Sequence, residues 1–192
     1  SLVKICTWDR AGLFGKIAGA LSAAGLNILG AQIFTRTDGI ALDTFFVNDG
    51  RTGNLAEREQ REKFTALLET VMTGEEVDLH QLIGQAAARS NYSAYLGERL
   101  ATQILFDNEA SDERTLIEIE TEDRLGLLYT ISQTLAELRL DISAARVVTE
   151  RGAAIDSFYV SDEAGGKLLE PEKQAAVSRR LQAAISELQA PV

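Results

Sequence analysis

The stretch "TWDRAGLFGKIAGALSAAGLNI", residues 7 to 28, decides the fold because the chain repeats it. It returns as "TEDRLGLLYTISQTLAELRLDI" at residues 121 to 142, an offset of 114 positions. The match continues further along each copy, where "ALDTFFVND" corresponds to "AIDSFYVSD". A repeat of this length predicts a duplicated small domain rather than the short units of a solenoid.

Each copy has the same order of predicted elements. An alternating strand, "LVKICT" or "TLIEIET", leads into a helix whose apolar residues recur at helical spacing. Two strands joined by a short turn containing glycine follow, and a second helix closes the copy. The order β-α-β-β-α predicts the α+β class, with two ferredoxin-like domains in tandem and antiparallel sheets that are each covered by two helices.

The fourth strand of each ferredoxin-like sheet is the missing part of this pattern. We place the first domain at 1–74, a connector at 75–113 and the second domain at 114–192. The connector holds a polar segment predicted to be helical and then one candidate strand at 102–108, and the sequence leaves open which domain this strand completes. The other sheet is expected to stay short or to pair across chains, because an open edge invites pairing. The two domains are expected to pack as a pseudo-twofold pair.

Composition excludes several classes of partner. The chain carries 29 acidic against 19 basic side chains, a formal net charge of -10, with no clustered stripe of Lys and Arg. Binding to nucleic acid or to an anionic membrane surface is therefore not expected. No apolar run approaches the length of a membrane-spanning helix, and we predict a cytoplasmic location.

The sequence offers no catalytic constellation. Its one histidine, His80, lies in the connector, so no histidine-aspartate pair or activated nucleophile is available. The segment "GLFGKIAG" lacks the glycine spacing of a phosphate-binding loop, and the acidic run at 107–113 lacks the pattern of a calcium loop. We therefore predict that this chain is not itself an enzyme, with no catalytic residue, no metal and no cofactor.

The mouth of the first helix in each copy is the candidate binding site. Gly12 and Gly126 open a helix directly after a strand, where unpaired N–H groups can accept an anion such as an amino-acid carboxylate. The neighbouring Asp9 and Asp123 can accept the ammonium group of the same molecule. The alternative is that Asp9 caps its helix and that the glycine only serves the turn, and both interpretations stay open.

The residue that opens the next strand distinguishes the two copies. Asn27 in the first copy can donate and accept hydrogen bonds, whereas Asp141 in the second only accepts and repels a carboxylate. We therefore expect the first copy to hold the better site, decided by Asn27, although a turn role for Asn27 is the alternative. The candidate ligand-binding residues are Asp9, Arg10, Gly12, Leu13, Asn27, Ile28, Asp123, Arg124, Gly126, Leu127, Asp141 and Ile142.

These residues carry a resemblance to a known family. The pattern D-R-x-G-L, a helix, and then N-I or D-I at the start of a strand resembles the ACT domain, a small-molecule-sensing module of βαββαβ order. The segment "DNEASDERTLIEIETEDRLGLLYTISQTLAEL" followed by "AARVVTERGAAIDSFYVSDEAGGK" resembles the C-terminal tandem ACT region of bacterial PII uridylyltransferases. Those bifunctional enzymes add and remove uridylyl groups on the nitrogen-regulatory PII protein. Ala11 and Leu125 depart from the family pattern, which has proline there.

The resemblance implies a regulatory function for this chain. It implies a module that binds an amino acid, glutamine, and controls PII uridylylation and deuridylylation by upstream catalytic domains. It also implies pairing of ACT domains within or between chains. The alternative is an ACT-type interaction or dimerisation module that binds no ligand.

Overall fold

The computed structural model describes residues 1–90 and 100–189. The first repeat contains β1 (Leu2–Trp8), α1 (Leu13–Ala23), β2 (Leu26–Phe34), β3 (Ile40–Asp49) and α2 (Arg58–Thr73). The connector contributes α3 (Leu79–Arg89) and β4 (Gln103–Asp107). The second repeat contains β5 (Thr115–Glu122), α4 (Leu127–Glu137), β6 (Asp141–Glu150), β7 (Ala153–Ser161) and α5 (Pro171–Gln189). The remainder of the predicted connector helix, at 91–99, lies outside the described residues.

The two repeats form one sheet. Its seven strands run in the order β1-β3-β2-β6-β7-β5-β4, and every neighbouring pair is antiparallel. The predicted α+β class with tandem ferredoxin-like units is confirmed. The two sheets are nevertheless continuous, because β2 of the first repeat pairs directly with β6 of the second.

The junction between β2 and β6 relates the repeats by a pseudo-twofold axis. Gly30 pairs with Val148 and Phe34 pairs with Ala144, so the two strands cross symmetrically. At the centre, Gln32 pairs with Arg146, the residue that occupies the position of Gln32 in the second repeat. The same patch of each repeat therefore meets itself, as in an isologous dimer interface. The expected pseudo-twofold packing is confirmed.

The connector strand β4 completes the second sheet. It pairs with β5 from Gln103 opposite Glu120 to Asp107 opposite Leu116. The first repeat keeps three strands, and among the described residues β1 pairs only with β3. The candidate strand thus has the predicted location, and the first repeat is the one left without a fourth strand, with β1 and β4 at the two edges of the described sheet.

The helices bury one face of the sheet. Phe45 and Phe158 are fully buried beneath them, whereas Leu42 and Phe46 are exposed on the opposite face. The ring of Phe14 on α1 lies 6.3 Å from that of Phe158 on β7, so the core is continuous across the two repeats. Connector helix α3 extends this layer, and its Leu79 and Ile83 are buried against α1 and α2. None of the helices in the described ranges is long and apolar enough to cross a membrane.

Candidate functional site

Each helix mouth faces the opposite repeat. Antiparallel pairing brings the start of β6 to the end of β2, which lies beside the loop between β1 and α1. The resulting cleft is lined on one side by Asp9 and Gly12 and on the other by Asp141 and Ile142. The cavity volume of the cleft is about 40 Å³. The site is therefore composite and belongs to the interface between the repeats.

Asn27 does not line the Asp9 cleft. It belongs to the equivalent interface site at Asp123. It lies at the far end of β2 from Thr35, about 25 Å away at the usual rise per strand residue. Its amide donates to Asp123 Oδ2 over 3.4 Å, and its side chain is buried. The prediction that Asn27 improves a site containing Asp9 is therefore wrong. The reason is that β2 and β6 pair in an antiparallel direction. The start of each strand therefore lies at the helix mouth of the other repeat, so that Asp141 lies in the cleft with Asp9 and Asn27 contacts Asp123.

The mouth of α1 is open and has no side-chain cap. Gly12 is the N-cap, with φ +73°, and no side chain accepts a hydrogen bond at this cap. Asp9 instead accepts a hydrogen bond of 2.9 Å from the hydroxyl of Thr35. The interpretation of Asp9 as a helix cap is therefore wrong. The amide of Leu13 donates to the Arg10 carbonyl over 3.0 Å, and the next first-turn amides, those of Phe14 and Gly15, belong to residues that line the cleft and can donate to an anionic group.

Asp43 is a site residue that our sequence reasoning missed. It lies on β3, lines the same cleft as Asp9 and is only 2% exposed. Neither carboxylate oxygen forms a well-aligned hydrogen bond or an ion pair among the described residues. Burial raises the pKa of Asp43 to about 6, the nearby Phe34 amide lowers it in part, and the charge of Asp9 raises it further. The signal was present in the sequence, because Asp43 occupies an inward position between Ala41 and Phe45.

The equivalent site in the second repeat is closed. Asn27 and Thr149 both donate to Asp123 Oδ2, the latter over 3.3 Å. Gly126 is buried beneath α3, and a Cβ added there would lie 2.6 Å from Ile83 Cγ2. A Cβ added at Gly12 would meet nothing within 4 Å. The connector helix therefore makes two sites of similar sequence structurally unequal.

The other candidates divide between the cleft and the packing around it. Leu13 and Arg10 line the cleft, but a guanidinium nitrogen of Arg10 donates to the Met72 carbonyl over 3.2 Å. Arg124 forms an ion pair of 2.8 Å with Glu122. The remaining two, Ile28 and Leu127, are buried in the hydrophobic core.

Two family models match this chain. The model for the ACT domain covers residues 1–64, and the model for the ACR9-like, ACT-like domain covers residues 103–192. The chain is a pair of ACT domains. These domains are regulatory and not catalytic, which agrees with the prediction that this chain is not itself an enzyme.

The ACT pair is similar to part of much longer proteins. It is 38% identical over 186 residues to the bifunctional uridylyltransferase/uridylyl-removing enzyme of Azospirillum brasilense, covering 96% of this chain and 20% of that protein. The enzyme of the same name from Rhodospirillum rubrum is 38% identical over 193 residues, with coverage of 97% and 20%. The one from Gluconobacter oxydans (strain 621H) is 36% identical over 185 residues, with coverage of 96% and 19%. The chain thus spans about a fifth of these relatives, and the resemblance drawn from the motifs is confirmed.

A solved structure shares the fold. The crystal structure of aspartate kinase from Synechocystis superposes with a TM-score of 0.50 at 14% identity. The match covers 97% of the ACT pair and 27% of the kinase chain. This likeness concerns the arrangement of strands and helices alone.

Proposed function

We propose that this ACT pair senses glutamine and, within a full-length protein, regulates upstream catalytic domains that uridylylate and deuridylylate PII. The observation that carries the proposal is the cleft at Asp9, which joins the N-terminus of α1 to a buried carboxylate, Asp43, that has no ionic partner among the described residues. A free amino acid has the complementary pair of charges. The regulated reaction is inferred from the names of the relatives, and a cytoplasmic location is part of the proposal.

The polar residues of the cleft favour a neutral amide side chain on the ligand. Asp9 and Asp141 both line it, and the guanidinium of Arg10 is engaged by the Met72 carbonyl. The second carboxylate of glutamate would lose its hydration beside Asp9 and Asp141, and within the described residues Arg10 is the one cationic side chain that lines the cleft. The amide of glutamine can instead donate to a carboxylate such as Asp141.

Isothermal titration calorimetry of the 192-residue chain tests this proposal. We expect glutamine to bind with about one molecule per chain and glutamate to bind at least roughly tenfold more weakly, the effect of about 1.4 kcal/mol. Asp141→Asn should narrow this difference by removing one repelling charge. Equal affinities for the two amino acids, or no heat with glutamine, would contradict the proposal.

A ligand-free interaction module is the second candidate. The observation in its favour is the pairing of β2 with β6, which joins the repeats without any ligand, together with the open edge at β1. Under this alternative no amino acid would produce binding heat.

A further inference from the structure

Two equivalent carboxylates are buried without an ionic partner in the described part of the ACT pair. Asp43 on β3 and Asp156 on β7 occupy the same position of the repeat and are 2% and 1% exposed. None of their four oxygens forms a well-aligned hydrogen bond within residues 1–90 and 100–189, although the backbone amides of Phe34 and Val148 lie close enough to lower their pKa values in part. Both strand positions point towards the helices, where the neighbouring inward residues, Phe45 and Phe158, form the core. The feature thus occurs once at each interface site.

A buried carboxylate without an ionic partner lowers the stability of the fold. A bound ligand with a cationic group can supply that partner. Removing an ionised carboxylate from water disfavours the charged form by several kcal/mol unless it is paired or hydrogen-bonded. Burial accordingly raises the pKa of Asp156 well above its usual range, and the charge of Asp123 raises it further. Burial has the same effect on Asp43. No cationic side chain among the described residues pairs with either group.

Asp43 lies on the wall of the cleft, and its carboxylate oxygens are shielded from solvent. Asp9 and Arg10 from the loop before α1 and Asp141 from β6 are its charged lining residues, and Arg10 donates to Met72. Asp9 lies close enough to Asp43 for its charge to raise the pKa of Asp43. Asp9 and Asp43 outnumber the one cationic lining residue in the described part of the chain, Arg10, and together can form a receptor for an ammonium group. Gly12, on the same side of the cleft as Asp9, presents the N-terminus of α1 to a carboxylate.

We propose that Asp43 binds the α-ammonium group of the ligand and thereby restricts the Asp9 cleft to α-amino acids. This inference rests on the proposed function of the cleft as an amino-acid site. Asp9, held by the hydroxyl of Thr35, is the second acceptor of the ammonium group. Asp156 is the same residue type in the closed site, where α3 and Asn27 exclude a ligand.

The test compares two ligands that differ only at the ammonium group. The probes are L-glutamine and glutaramate, which keeps the carboxylate and the amide but lacks the amine. By titration calorimetry the parent chain should bind glutamine about 10- to 100-fold more tightly than glutaramate, the range for a hydrogen bond to a charged group. Asp43→Asn keeps the side-chain shape and should reduce this preference to less than about threefold, mainly by weakening glutamine.

Asp156→Asn is the matched control. It replaces the equivalent buried carboxyl group in the closed site, so the preference for glutamine should stay within about threefold of the parent value. Thermal unfolding verifies that both variants are folded. If the parent binds glutamine and Asp43→Asn keeps the full preference, the role of Asp43 is wrong and the glutamine site stands. If the parent binds neither probe, both the proposed function and the role of Asp43 are wrong.

Discussion

At Asp43 and Asn27, the structure assigns a role that the sequence did not suggest. Asn27 stood out in the sequence because it differs from its equivalent Asp141, and the difference is real. Its consequence could not be assigned, because the partner of each residue lies in the other repeat. Asp43 was overlooked although an aspartate in an inward strand position is unusual. Buried polar residues inside an apolar pattern are therefore better indicators of this site than differences between the repeats.

The buried charge of Asp43 makes stability depend on pH. The pKa of Asp43 is raised from 3.8 to about 6, so the folded chain holds this proton more tightly than the unfolded chain. The resulting stabilisation is complete below the unfolded pKa and is lost as the pH rises through about 6. Asp43→Asn should therefore raise the melting temperature at about pH 7.5 by roughly 2 to 4 °C, the shift that 1 kcal/mol produces in a chain of this size.

This gain should shrink towards zero near about pH 4, where the parent carboxyl is also neutral. Differential scanning fluorimetry across this pH range, without ligand, measures both values. Asp112→Asn changes an exposed aspartate and serves as the control, with no pH-dependent shift expected. A melting temperature of Asp43→Asn equal to that of the parent at every pH would show that the carboxylate is not strained by burial.

At the scale of elements, α3 is the part that breaks the symmetry of the repeats. Its Leu79 and Ile83 pack onto the helix layer, and Ile83 covers the mouth of α4 at Gly126. The sequence predicted a helical connector but not its position. Nothing in a periodic apolar pattern states which neighbour the helix will cover, because that depends on the packing of both repeats. The inequality of the two sites therefore comes from the connector rather than from the repeat.

A pair of alanine substitutions measures this inequality. Gly12 and Gly126 both have positive φ, of 73° and 89°, so alanine should cost roughly 1 to 2 kcal/mol of stability at either position. Gly126→Ala also forces a Cβ against Ile83, which should add roughly 1 to 3 kcal/mol. Chemical denaturation of the two variants gives the difference between these costs.

Ile83→Ala provides the control background for this comparison. It removes the methyl group that would overlap, so Gly126→Ala in that background should cost about as much as Gly12→Ala in the parent. Similar costs for the two glycine substitutions in the parent chain would mean that α3 does not cover the second site in solution.

At the scale of the whole molecule, the ACT pair is one continuous sheet with one hydrophobic core. The duplication, the element order and the symmetric packing were predictable from the sequence. Two similar repeats have similar surfaces, and similar surfaces favour symmetric packing. The union of the sheets through β2 and β6 was not, since the sequence does not specify which face or edge two similar domains share. The sequence predicted a strand at 102–108, where β4 lies. Only the pairing of β4 with β5 in the structure shows that it completes the second sheet.

The pairing of β2 with β6 also explains why the candidate ligand site contains residues of both repeats. Each helix mouth needs the opening of a strand from the other repeat, so neither repeat contains a whole site. A ligand in the Asp9 cleft would contact both repeats at once and stabilise their mutual arrangement. Such a contact is a direct way for ligand occupancy to change the surface offered to other domains.

The central claim is that the Asp9 cleft, and not its equivalent at Asp123, binds glutamine. Two-dimensional ¹H–¹⁵N NMR of the chain titrated with glutamine tests it most directly. The amide signals of Gly12 and Ile142 should shift with one saturable isotherm, while that of Gly126 stays in place beneath α3. Signals that remain unmoved throughout, or a Gly126 signal that shifts while Gly12 does not, would contradict the account.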